Sequence, residues 1–201
     1  MNHSDKHVLH TLRCMGFSSV GRVAEAAGIS ADDAEDGLLA LAGAGLVTHE
    51  RGAFGGWGVT DAGKLMDAEL VAGELDAVGA RGVLTEAYQR FMGLNSELLD
   101  LCTSWQMKAG VGGPVINDHG DGVYDGLVLE RLGEFDGRAV VVLGEIAGAV
   151  GRFGRYRERL GVALSRARGG EIGYIADELG SYHHVWFQLH EDLLVTLGIP
   201  R

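Results

Sequence analysis

Apolar residues that recur every three or four positions predict short helices in the first quarter of the chain. The segments with this spacing are 7–17, 20–27 and 31–44. Ser19 precedes the second segment and Ser30 precedes the third, and a serine at this position can cap the first turn of a helix. Three residues, Gly28 to Ser30, separate these two segments. This spacing predicts the tight turn of a helix-turn-helix.

The following residues predict a β-hairpin and then another helix. Strands are expected at 45–50 and 57–60, on either side of a glycine-rich turn at 51–56. A further helix begins at residue 62 and continues toward Leu75. The order of these elements predicts a winged helix-turn-helix domain in residues 1–75, with the hairpin as its wing.

Longer helical patterns begin at residue 81. The segments that carry them are 83–102 (or as far as 107), 124–135, 137–150, 152–168 and 182–197. Residues 109–122 contain several glycines and Pro114, and are predicted to form a loop. We therefore expect an antiparallel, all-helical domain in residues 81–201. The predicted fold class is mainly α: an N-terminal winged helix-turn-helix with a small β-hairpin wing, followed by this helical domain.

Composition and charge limit the classes of protein to which this chain can belong. Both cysteines, Cys14 and Cys102, lie within apolar helical patterns and no secretory leader precedes them, so we expect buried thiols in a reducing cytoplasm. No apolar run approaches the roughly 18 residues that span a bilayer, so no membrane segment is expected. The formal net charge is −11, and any basic surface for nucleic acid must therefore be local.

Three motifs in the first domain occur in the order that is typical of a known family. They are Val23-Ala-Glu-Ala-Ala-Gly-Ile-Ser30, Gly45-Leu-Val47 and Trp57-Gly-Val-Thr-Asp-Ala-Gly63. This part of the chain resembles the winged helix of MarR-like bacterial regulators. In a winged helix that reads DNA, the N-terminal half of the third helix enters the major groove and the wing touches an adjacent groove or phosphates.

The charge of this domain weighs against DNA binding. Residues 1–70 contain ten acidic and five basic side chains, and the third helix begins with a cluster of acids. Its members are Asp32, Asp33, Glu35 and Asp36. Acids in a first turn also stabilise a helix through its dipole, so the cluster has a purely structural interpretation. The residues available to contact DNA are Arg22, Ser30 and Arg51.

A second set of motifs lies in the helical domain. It comprises Trp105-Gln106, Asn117-Asp-His119, Tyr124-Asp125, Tyr156, Arg159-Leu160, Ser181-Tyr-His183, Val185-Trp-Phe187 and Leu189-His-Glu-Asp-Leu193. These segments resemble a helical module that follows winged helices in proteins of high-GC bacteria described as transcriptional regulators. Similar segments are appended to some dikinase-like proteins that use phosphoenolpyruvate. The sequence departs from this pattern at His184, Gly120 and Gly122.

Aromatic and polar residues of this domain could line a ligand pocket. The candidates are Trp105, Gln106, Asn117, Asp118, His119, Tyr124, Asp125, Tyr182, His183, Trp186, His190 and Glu191. A core in which buried Trp and Tyr need polar partners is an equally good interpretation. His183 and His190 lie about 10 Å apart on one helix face, too far to share a metal without Asp118, His119 or Asp121. We therefore favour histidines that hydrogen-bond to Asp125 or to carbonyls, and expect no metal and no cofactor.

A concentration of arginines between residues 138 and 168 has two interpretations. Its members are Arg138, Arg152, Arg155, Arg157, Arg159, Arg166 and Arg168. We favour solvated side chains paired with Glu145, Glu158 or Glu171 over a cleft that attracts an anionic ligand.

The sequence favours a winged-helix transcriptional regulator whose helical domain senses a small molecule, forms a homodimer, or does both. Two alternatives stay open: a small-molecule-binding or catalytic protein on a winged-helix scaffold that no longer binds DNA, and an accessory module that docks on a phosphoenolpyruvate-utilising partner. No nucleophile elbow, phosphate-binding loop or HExxH motif is present, so no catalytic residue is expected.

Overall fold

The computed structural model describes residues 1–52 and 55–200, and this part of the chain is mainly helical. The prediction of a mainly helical fold with a small β-hairpin is confirmed. The backbone divides into two compact units. Unit 1 comprises Met1–Ala77 and the stretch from Glu191 onwards, and unit 2 comprises Val78–His190. The end of the C-terminal helix, which the sequence analysis placed in the second domain, is thus counted with unit 1.

Unit 1 consists of four helices, a two-stranded antiparallel sheet and the end of the last helix. The elements are α1 (His3–Met15), α2 (Val20–Ala27), α3 (Ala31–Gly43), β1 (Val47–Glu50), β2 (Gly56–Val59) and α4 (Asp61–Val78). They agree with the predicted segments to within a few residues. Residues 53 and 54, in the predicted turn 51–56, lie outside the described residues.

The core of unit 1 forms where the first three helices pack on one another and on the sheet. Its buried members are Val8, Leu9, Leu12, Val23, Leu38, Leu41, Val47 and Trp57. Trp57 also exchanges two backbone hydrogen bonds with Ser18, at 2.8 and 3.0 Å, which fix the sheet to the loop between α1 and α2. Gly63 lets α4 approach this sheet, because a Cβ there would lie 2.0 Å from the carbonyl oxygen of Leu46.

Unit 2 is built on two long helices. Its elements are α5 (Arg81–Gln106), β3 (Met107–Gly110), β4 (Gly113–Ile116), α6 (Gly122–Ala149), α7 (Gly154–Arg168) and the first part of α8 (Tyr182–Leu197). α5 packs along α6, and α6 packs against α7. A short 3-10 helix, Gly151–Phe153, precedes α7.

Two predictions for unit 2 were wrong. The predicted loop 109–122 contains most of an antiparallel hairpin, in which Gly110 pairs with Gly113. Gly112 has φ +102°, which only glycine adopts easily, so the chain can reverse within two residues. The predicted helices 124–135 and 137–150 are the single helix α6. An internal glycine weakens a helix by about 1 kcal/mol, and the buried stripe that continues across Gly137 from Phe135 to Ala139 outweighs this loss.

Both cysteines are free and buried, as predicted. Each unit contains one of them, Cys14 on α1 and Cys102 on α5. Among the residues that the structure describes, no helix has the length and apolar character needed to cross a membrane.

Candidate functional site

The predicted DNA-contacting residues lie on and around α3. All four acids of its first turns are exposed, together with Leu39 and Ala40. The Ser30 hydroxyl caps α3, since it accepts a hydrogen bond from the Asp33 backbone N–H at 3.1 Å and donates one to the Asp33 carboxylate at 2.6 Å. Arg22 is half-buried on α2, and Arg51 is exposed directly after β1. The exposed face of α3 therefore carries negative charge.

Several of the predicted ligand-binding residues form a polar network where α5 ends and α6 begins. We call Trp105, Asn117, His119 and Asp125 the α5–α6 network. The Asn117 side-chain amide donates to the Trp105 carbonyl oxygen at 2.9 Å and to Asp125 Oδ1 at 2.7 Å. His119 Nδ1 lies 3.1 Å from Asp125 Oδ2, and the His119 ring lies on the Trp105 indole with centroids 4.5 Å apart. Asp125, which was considered as a partner for the histidines of the C-terminal helix, is thus bonded to His119.

The neighbours of this network are more exposed. Tyr124 Oη lies 2.8 Å from the Ser104 carbonyl oxygen and 3.1 Å from that of Met107. Asp118 is exposed and pairs with Lys108 at 2.6 Å, which raises the pKa of Lys108 and lowers that of Asp118, chiefly through this hydrogen bond. Gln106 is exposed and accepts a backbone hydrogen bond from Asn117.

The predicted residues of α8 have other neighbours. Trp186 stacks on Phe91 with centroids 4.5 Å apart, meets Phe135 edge-on at 5.3 Å, and donates from Nε1 to Asn95 Oδ1 at 3.0 Å. The Tyr182 hydroxyl donates to Asp136 at 2.9 Å, and its pKa is raised by burial and by that carboxylate.

The histidines of α8 differ in their surroundings. The half-buried His190 lies beside the rings of Tyr88 and Phe91. The half-buried ring of His183 has a lowered pKa, because of its burial and of the adjacent His184. Glu191 is half-buried and is counted with unit 1.

The candidate pocket residues are therefore divided between two levels of α5. Trp186 contacts Phe91 and Asn95 on α5. Both precede Trp105 by ten residues or more, which is at least about 15 Å along a helix at 1.5 Å per residue. Trp186 was grouped with Trp105 and Asn117 among the residues that could line one pocket, but in the structure its ring contacts and its hydrogen bond are with other residues. In the structure the apolar stripe of α8 faces the middle of α5 and α6, because large buried rings lie there.

The arginines of unit 2 are largely paired. The expected pairing of Arg166 with Glu171 is present at 2.5 Å, whereas Arg138 pairs with Glu97 and Glu145 pairs with Arg90. Arg159 donates to the Gln188 side chain at 2.7 Å. These contacts support the structural interpretation of the arginines over an open cleft.

Unit 1 contains a buried cluster that was not predicted from the sequence, and we call it the His10 cluster: His10, Cys14, Asp67 and Asp192. His10 Nδ1 lies 3.1 Å from both carboxylate oxygens of Asp67, and His10 Nε2 lies 2.9 Å from Asp192 Oδ1. The sulfur of Cys14 lies 3.7 Å from the same Nε2. None of the four residues is more than 4% exposed.

Electrostatics at this cluster favour a charged imidazole. Burial by itself would lower the pKa of His10, but Asp192, Cys14 and the hydrogen bonds to the two carboxylates together raise the pKa well above its usual value. The sequence contained a usable signal, since Asp67 precedes Val71 and Leu75 at four-residue spacing. An acid on the apolar stripe of a helix indicates a buried partner.

Comparisons with protein-family models, curated proteins and solved structures find no match for this chain.

Proposed function

We propose that this chain is a DNA-binding transcriptional regulator in which residues 1–77 form a winged helix-turn-helix domain. The observation that carries the proposal is the order and connection of α2, α3 and the β1–β2 hairpin. A three-residue turn joins the two helices, and antiparallel strands follow α3. In winged helices this arrangement presents the third helix to the major groove and the hairpin to the flanking backbone.

The positions of the cations define how such a domain would meet DNA. Arg51 is exposed at the position directly after strand β1 of the hairpin. In a winged helix this part of the hairpin contacts phosphates. Ser30, at the start of α3, would turn its hydroxyl toward the groove only by leaving its capping bonds with Asp33. The exposed acids of α3 oppose approach to phosphate, so binding is expected to be weak and strongly salt-dependent.

The helical unit is proposed to bind an effector, to form a homodimer, or to do both. Support for an effector comes from the α5–α6 network, where amide, imidazole and carboxylate groups lie together. Among the described residues, the buried indole Nε1 of Trp105 has no hydrogen-bond partner, so one donor there is available to an acceptor.

One observation favours a second candidate function, a winged-helix scaffold that no longer contacts DNA. The exposed surface of α3 carries Asp32, Asp33, Glu35 and Asp36, and it carries no lysine or arginine. A face of this charge repels phosphate and suits a docking surface for a basic protein.

Fluorescence anisotropy with two labelled DNA duplexes distinguishes these two candidate functions. One duplex is the region upstream of the gene and the other is a scrambled sequence, and each is measured at low and at moderate salt. Arg51→Ala should weaken binding to both duplexes and reduce the salt slope by about one unit. Arg131→Ala, which changes an exposed arginine of unit 2, should change neither.

A charge series tests the role of α3. A carboxylate about 10 Å from a phosphate contributes roughly 0.4 kcal/mol of repulsion in water. The triple change Asp32→Asn, Glu35→Gln, Asp36→Asn should therefore raise affinity for both duplexes by about tenfold at low salt. The control changes three exposed acids of unit 2 and has the same net charge: Glu86→Gln, Asp100→Asn, Glu130→Gln. If both triple variants raise the affinity equally, α3 does not contact the groove. If the unaltered chain binds neither duplex at low salt, the second candidate function is favoured.

A further inference from the structure

We propose that His10, Cys14 and Asp192 form a binding site for a divalent transition metal, and that Zn²⁺ is the ion that fits it. The site lies entirely within unit 1 and does not depend on DNA binding. Nε2 of His10, the sulfur of Cys14 and a carboxylate oxygen of Asp192 all lie within 4.8 Å of one another. The first two residues are one helical turn apart on α1, so the helix itself brings their donors to the same side.

Two of the three distances between the donor atoms are within about half an ångström of what a tetrahedral ion requires. With bonds of about 2.0 Å to nitrogen or oxygen and 2.3 Å to sulfur, neighbouring donors lie about 3.3 to 3.6 Å apart. The nitrogen and sulfur are 3.7 Å apart, and the nitrogen and Asp192 oxygen are 2.9 Å apart. No two of the three donors are more than 4.8 Å apart, so adjustment of the side chains would bring all of them to one ion.

The second nitrogen of the imidazole has the partner that a metal ligand usually has. His10 Nδ1 lies 3.1 Å from both carboxylate oxygens of Asp67. This contact leaves His10 Nε2 directed to Cys14 and Asp192. In zinc proteins a carboxylate on the distal nitrogen fixes the ring and makes it a better ligand. Asp192 is held in turn by Thr196, whose hydroxyl donates to Oδ1 at 3.1 Å.

Burial and donor type together identify the class of ion. The carboxylates of Asp67 and Asp192 are 0% exposed, so an ion held beside them would be shielded from water. Binding would displace the imidazolium proton and the thiol proton, because metal ligands must be deprotonated. Thiolate and imidazole donors are suited to Zn²⁺ and Co²⁺, whereas Mg²⁺ and Ca²⁺ require oxygen donors. Three protein donors leave the fourth position of a tetrahedral ion for a further ligand.

The test uses the full chain, freed of metal by a chelator and titrated with Co²⁺ and then Zn²⁺. We expect one ion per chain, with a thiolate-to-cobalt absorption band that Zn²⁺ abolishes and that excess Mg²⁺ or Ca²⁺ does not. The band should be lost in Cys14→Ser and retained in Cys102→Ser, the matched control at the buried cysteine of unit 2. Asp67→Asn keeps all three ligands and should weaken binding about 10- to 100-fold.

Thiol protection in the unaltered chain tests the site without relying on a variant that must fold. Zn²⁺ should slow alkylation of Cys14 and leave the rate at Cys102 unchanged, as read from the two cysteine-containing peptides by mass spectrometry. Zinc that binds without protecting Cys14 would be adventitious surface binding and would overturn the proposal. Absence of the cobalt band, or its persistence in folded Cys14→Ser, would also overturn it.

Discussion

Asn117 supports the α5–α6 network, and its removal should destabilise unit 2 far more than removal of its neighbour Asp118. The Asn117 amide donates to the Trp105 carbonyl and to Asp125, and Asn117 is 4% exposed. Asn117→Ala would leave the carbonyl without a partner, at about 1 to 3 kcal/mol, and would remove a hydrogen bond to a charged acceptor worth about 1.5 to 3 kcal/mol. Allowing for partial access of water to Asp125, we expect a loss of about 3 kcal/mol.

Asp118 offers a matched control at the next position. Its side chain is exposed and its contact with Lys108 is a surface ion pair. Such pairs contribute little to stability in water, so Asp118→Ala should leave the stability of unit 2 nearly unchanged.

Pulse alkylation of the two buried thiols measures the result separately in each unit. The rate at Cys102 reports opening of unit 2, and the rate at Cys14 reports opening of unit 1. A loss of 3 kcal/mol corresponds to labelling of Cys102 that is more than 100-fold faster, since each 1.4 kcal/mol is a factor of ten. Equal effects of the two substitutions, or a change of less than 1 kcal/mol for Asn117→Ala, would refute the assignment of a stabilising role to the network.

Further predictions concern α8 and the buried thiol. Trp186→Ala should lower the free energy of unfolding, measured by urea denaturation, by about 3 to 5 kcal/mol. The control Phe187→Ala changes a side chain that is 45% exposed and should lower this free energy by less than about 1.5 kcal/mol. Similar losses in the two variants would mean that the indole is not a core group. Because the pKa of His183 is lowered in the folded chain, the unfolded chain binds its proton first as pH falls below about 6.5, so stability should decrease toward pH 5. His183→Gln should flatten this decrease in urea midpoints measured at pH 7.5 and 5.5, and an unchanged slope would contradict the argument. Burial, with a smaller effect of Asp177, raises the pKa of the Cys102 thiol to about 12. Iodoacetamide at pH 8 should therefore modify this thiol slowly in native buffer, and the rate should increase with urea concentration. Fast modification in native buffer would contradict its burial.

The local chemistry of the sequence determined the elements whose signals lie within a few residues of each other. Helical spacing and a serine cap were enough to predict α3, and its observed start at Ala31 follows from the Ser30 cap. The strands β1 and β2 were predicted from alternation around a glycine-rich turn. Burial of both cysteines followed from their place in apolar helical patterns, because a side chain on such a stripe must face another element.

Features that depend on contacts between distant residues were decided by the tertiary structure. β3 and β4 contain Lys108 and Pro114 and show no clear alternation, so their pairing depends on the turn at Gly112 and could not be predicted from the pattern. The partners of Trp186 were set by which rings on α5 and α6 lie opposite it, and periodicity does not specify the facing residue.

The His10 cluster shows the same limit most clearly. His10 and Cys14 lie near the start of the chain, and Asp192 lies near its end. Each lies on the buried face of its helix, and a polar residue on such a face needs a polar partner. The identity of that partner depends on which helices pack together, because burial makes a polar contact necessary and the packing of the helices decides which donors and acceptors come within reach.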